Sequence, residues 1–153
     1  MTLRTVVLAT AILSTMSCGE PDRIVLLTCP SPDGASKAIF WVYSAGPAAG
    51  VVDYFLNVVP ADRSTSSVLE SNGSDDQRTA VMDMGGGGSV HLTWLSAKRL
   101  LVEYPEDASL RDTSPVWPVG ATGVPGLRVV YRGSDAIPDY SDSTCESGTS
   151  SRP

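Results

Sequence analysis

The chain has 153 residues, with 11 Lys and Arg against 17 Asp and Glu for a net charge of −6 at pH 7. That length sustains one ordinary domain with a modest core, not two. The acidic balance argues against nucleic acid, which is bound through clustered Lys and Arg on phosphates, and against adsorption onto anionic lipid.

Residues 1–17 open with one basic residue, Arg4, followed by an apolar run and a small residue, Ser17, directly before Cys18. These are the parts of an export signal rather than of a folded domain. The run from residue 6 to residue 16 is short of the roughly twenty residues a membrane-spanning helix needs. With Ser17-Cys18-Gly19 at its end, the segment resembles a bacterial lipoprotein signal. That resemblance implies removal of residues 1–17, acylation of Cys18 and a lipidated tether over residues 18–22. Loss of Arg4 then leaves ten cations against 17 anions.

Three cysteines are present, Cys18, Cys29 and Cys145. Assigning Cys18 to lipid leaves an even pair in a compartment where disulfides persist, so a bridge from Cys29 to Cys145 is expected.

The body, residues 23–132, reads as short strands between turn signals. Residues 23–28 form an apolar run, ended by Cys29-Pro30 and then Ser31-Pro32-Asp33-Gly34, whose order suits a type I turn. Residues 38–43, Ala-Ile-Phe-Trp-Val-Tyr, are rich in aromatic and β-branched side chains, and residues 51–59 repeat that character before Pro60. Residues 61–77 are polar apart from Val68-Leu69 and are expected to form a solvated loop with at most a short edge strand. Residues 78–84 read as a strand, and four glycines, Gly85, Gly86, Gly87 and Gly88, follow.

Residues 89–94 alternate, placing Val90, Leu92 and Trp94 on one face and His91 and Thr93 on the other. With residues 99–104 they predict a hairpin. Residues 105–125 hold four prolines and predict a long crossing loop anchored by Val116-Trp117. A last strand is expected over residues 127–132, then a flexible Ser- and Asp-rich tail over 133–153 unless Cys145 pins it. The fold class is all-β: a small sandwich or strongly curled antiparallel sheet of six or seven short strands.

The Ser31-Pro32-Asp33-Gly34 turn, the stretch Gly46-Pro47-Ala48-Ala49-Gly50, and Leu92-Thr93-Trp94 before residues 99–104 resemble a group of short bacterial exported proteins of unknown function. That resemblance implies an address and an architecture, and it brings no catalytic residue.

No reaction machinery stands out in the sequence. His91 is the one histidine, and no His-Glu-x-x-His, paired Cys-x-x-Cys, Gly-x-Ser-x-Gly or Ser-x-x-Lys spacing occurs, so neither a metal nor a cofactor is expected. Residues 85–88 lack the Lys and the following helix of a phosphate loop, and read instead as a connection that lets backbone approach a partner. Glu103, Glu106 and Asp107 are neighbouring surface acids, while Asp139, Asp142 and Glu146 lack the spacing of a calcium loop. Asn72-Gly73-Ser74 matches a glycosylation acceptor only in form.

The expectation is a non-enzymatic lipoprotein of the bacterial envelope, lipid-anchored at the outer membrane and facing the periplasm. Its expected partners are the bilayer, through acylated Cys18, and an envelope or toxin protein, with Gly85, Gly86, Gly87, Gly88 and Trp117 as the candidate binding surface. The alternative is a secreted β domain without lipid, holding a small ligand near Trp41, Trp94 and Trp117.

Overall fold

The computed structural model describes residues 21–46, 50, 52–70, 80–85, 88–113, 124–137 and 142–147. Among these residues the chain forms nine strands and one short helix. In order they are β1 (Asp22–Pro30), β2 (Ser36–Ser44), β3 (Val52–Pro60), α1 (Thr65–Glu70), β4 (Met82–Gly85), β5 (His91–Ser96), β6 (Arg99–Pro105), β7 (Ser109–Thr113), β8 (Arg128–Ser134) and β9 (Thr144–Ser147).

The strands build two facing sheets, one in the order β1-β2-β3-β4-β7 and the other β8-β6-β5-β9. The all-β sandwich expected from the sequence is what forms, with nine strands where six or seven were expected. Every pairing in the five-stranded sheet is antiparallel, whereas β6 with β8 and β5 with β9 run parallel.

The two sheets bury one core between them. Ala38, Phe40, Leu56, Val58, Met82 and Met84 from the first meet Leu92, Trp94, Leu100, Val102 and Val129 from the second. A second, smaller core lies on the far side of the five-stranded sheet, where Ile39, Trp41, Phe55 and Val59 pack under Val68 of α1. Central strands β2 and β3 are therefore buried on both faces, which is why their sequences run apolar without alternation. Trp41 stacks on Phe55 at 4.7 Å between ring centroids, and its indole N–H donates to Asn57 Oδ1 at 2.7 Å. That bond satisfies the indole N–H and the carbonyl oxygen of the Asn57 amide inside this outer core.

Helix α1 replaces the loop or edge strand expected around Val68-Leu69. Six residues are too few for a helical period to show. The helix is held by tertiary contacts, with Val68 buried and the Arg23 guanidinium donating to the Leu69 carbonyl at 2.5 Å.

The hairpin predicted over residues 89–104 is present as β5 and β6, with Leu92 opposite Val102 and Trp94 opposite Leu100. Val90, Leu92 and Trp94 are fully buried, as the alternation requires. The long loop expected over residues 105–125 is corrected in its first part. Pro105 ends β6, and the chain turns over Glu106 to Ala108 and enters the opposite sheet as β7, so the crossing is made partly by a strand. The tail takes the exception expected if Cys145 pins it, adding β9 beside β5 over residues 144–147, and its first two residues, Gly133 and Ser134, belong to β8 instead.

The Cys29–Cys145 disulfide explains that placement. It joins β1, the outer strand of one sheet, to β9, the outer strand of the other, with the two Cα atoms 5.5 Å apart. The bond spans 116 residues of sequence, for which chain-entropy models give about 4 to 5 kcal/mol of stabilisation. Thr-Cys-Glu-Ser has little apolar surface of its own to hold a strand in place. The disulfide supplies what composition does not.

Candidate functional site

Two ends of the sandwich differ in what they expose. At the first, β1 runs out through Cys29 into the Ser31-Pro32-Asp33-Gly34 turn, which closes with the Gly34 N–H on the Ser31 carbonyl at 2.9 Å. Ser31 Oγ accepts the Ser36 N–H at 3.0 Å, while Asp33 Oδ1 accepts from the Ser31 hydroxyl at 2.7 Å and from the Ala35 N–H at 3.1 Å. The Ser31 hydroxyl, and after it the Ala35 amide, hold the Asp33 carboxyl below the ordinary carboxylate value. Trp94 plugs the sandwich beneath this turn, donating its indole N–H to the Cys29 carbonyl at 3.2 Å.

At the opposite end, the strand register lines up Ile24, Val42, Tyr54, Met84 and Leu110 across all five strands of the first sheet. They share the face that carries Phe40, whose ring stacks on Tyr54 at 5.9 Å. Met84 is fully buried there, but toward β1 the cover ends. Ile24 is 54% exposed, and Val52, opposite Ser44 in the next row, is 40% exposed. A β-bulge at Leu26 interrupts β1 just beyond and leaves that leucine exposed as well. The result is an apolar corner formed by the start of β1, the end of β2 and the start of β3.

Of the residues singled out from sequence, Gly85 and Gly88 border this region and Gly86, Gly87 and Trp117 lie outside the described residues, as does Cys18. Gly88 is required by close approach. A Cβ there would stand 2.3 Å from the Tyr54 ring, so the backbone crosses flat on the aromatic face. At Gly85 a Cβ would meet the Arg111 guanidinium at 2.8 Å, and Arg111 is itself ion-paired to Asp53. These two glycines therefore have packing reasons.

Trp41 and Trp94 lie in separate cores on opposite faces of the five-stranded sheet. They do not converge on one concavity, and Trp117, the third residue of the alternative small-ligand reading, lies outside the described residues.

His91 sits on the outer face of β5, paired in register with Glu103 of β6 and Thr144 of β9. Glu103 Oε1 takes two hydrogen bonds from Arg132, at 2.9 Å from Nε and 2.5 Å from Nη2. A polar row thus crosses the four-stranded sheet on its solvent side. Among the described residues, no group of three His, Cys, Asp or Glu side chains could hold a metal ion. Asp142 and Glu146 are exposed, and Asp139 and Asn72 lie outside the described residues. No described helix is long and apolar enough to cross a membrane.

The apolar corner was not visible in the sequence. Residues 24–27, Ile-Val-Leu-Leu, read as an unbroken apolar run, and nothing in the run says which of the four would be left uncovered. No family model, no curated protein and no solved structure matches the chain.

Proposed function

We propose that this protein is a lipid-anchored β-sandwich of the bacterial envelope that works by associating with another envelope protein, without catalysis. The observation that carries the reading is the pairing of the cysteines. Cys29 and Cys145 are joined, which leaves Cys18, directly after a signal-like segment, as the one cysteine free to take lipid. A disulfide between the outer strands of the two sheets also suits an oxidising compartment. Recognition through exposed strand edges suits a body whose one histidine lies on an open sheet face beside a carboxylate already engaged by arginine.

The test is metabolic labelling with an alkyne fatty acid followed by fractionation. The wild-type chain should be labelled and sediment with membranes, and Cys18→Ser should be unlabelled and soluble. A soluble, unlabelled wild-type protein would contradict the reading.

A further inference from the structure

We infer that the apolar corner of the five-stranded sheet is the face this protein lays against the bilayer. The inference rests on the acylation of Cys18 proposed above and adds an orientation to it. Cys18 and Asp22, the first residue of β1, are four residues apart. A polypeptide covers at most about 3.5 Å per residue, so the start of β1 cannot stand more than about 14 Å from the lipid attachment point. Strand β1 then runs nine residues, placing its far end, Pro30, about 27 Å further on if the strand stands away from the surface.

What the short tether brings to the membrane is the end that exposes apolar side chains. Ile24 and Val52 project there beside half-buried Val42 and Tyr54. Tyr43 lies on the reverse face of the same rows, with the Arg23 guanidinium 5.9 Å from its ring centroid. Tyrosine and apolar residues together suit the boundary between headgroups and acyl chains. Charge at this end is balanced. Arg111 is paired to Asp53, Arg23 stands next to Asp22, and the sequence between Ser44 and Val52 has no ionisable side chain. Glu20 in the tether adds one negative charge. Contact of this kind gains from burying apolar surface rather than from attraction to anionic headgroups, so zwitterionic lipid is the fitting partner.

The experiment uses the full acylated chain on phosphatidylcholine vesicles containing brominated lipid, and reads tryptophan quenching above that of the wild type. Val52→Trp places a reporter on the corner. Val130→Trp places one on the outer face of the second sheet, at another exposed position. Intact mass and vesicle flotation establish acylation and anchoring for each variant. The account predicts that the added emission of Val52→Trp is roughly halved, as for a side chain 5 to 10 Å into the interface, while that of Val130→Trp is unchanged. Acylated, floating protein in which the two reporters are quenched equally, or Val52→Trp not at all, would overturn the orientation and leave the anchor standing. Absence of the acyl mass would overturn the anchor, and the orientation with it.

Discussion

The two ends of β1 are treated oppositely by the fold. At the Cys29 end the Ser31 turn is closed by side-chain hydrogen bonds, the sulfur is bonded across the sandwich, and Trp94 fills the space beneath. At the Asp22 end the second sheet no longer covers the first, and Ile24 and Val52 are left to solvent. The lesson is that this sandwich is closed by specific devices at one end and left available for contact at the other. An exposed leucine or valine alone means little, but several on adjacent strands at one corner form a surface.

That contrast predicts a hierarchy of mutational effects. Trp94→Ala should cost about 3 to 5 kcal/mol by urea unfolding, because it empties a large buried volume and strips the Cys29 carbonyl of its donor. Val52→Ala at the exposed end should stay within about 0.5 kcal/mol of wild type. Comparable losses at the two positions would break the contrast.

An intermediate effect belongs to Gly88→Ala, whose new methyl group collides with Tyr54 and should cost about 1 to 3 kcal/mol. Combining it with Tyr54→Ala should be clearly less than additive, since removing the ring removes the collision. Additive losses would show that the glycine serves something other than the close approach.

The smallest effect is at the Ser31 turn. The Asp33 carboxyl is held below its ordinary value, first by the Ser31 hydroxyl, so its contribution is complete above the unfolded value of about 4. It is lost as the pH falls through the lower folded value. Between pH 5 and pH 2, Asp33→Asn should therefore lose slightly less stability than wild type. A steeper acid loss in the variant would contradict the turn's role.

Much of the fold was legible where one strand face meets water. Residues 89–94 alternate because His91 and Thr93 face solvent while Leu92 and Trp94 face the core, so period and burial agree. Strands β2 and β3 were recognisable by their aromatic and β-branched content, but the second core under α1 was not. It arises when a six-residue helix, too short to carry a period, is seated by Val68 and Arg23. Strand β9 was invisible for a different reason, since Thr-Cys-Glu-Ser has no strand-like composition and is placed by a bond to a residue 116 positions away. The cysteine pairing itself came from parity, which needs no geometry. The apolar corner could not be read from sequence, because exposure at the end of a strand depends on where the opposite sheet stops.

The account turns on the division of labour among Cys18, Cys29 and Cys145, and peptide mapping without reduction tests it most directly. In protein taken from the cell envelope, the account predicts that Cys18 is the N-terminal residue and carries acyl chains. It also predicts that the peptides containing Cys29 and Cys145 are recovered joined, with no free thiol in the mature chain. A free thiol at Cys18, or Cys18 in a disulfide with either of the others, would contradict it.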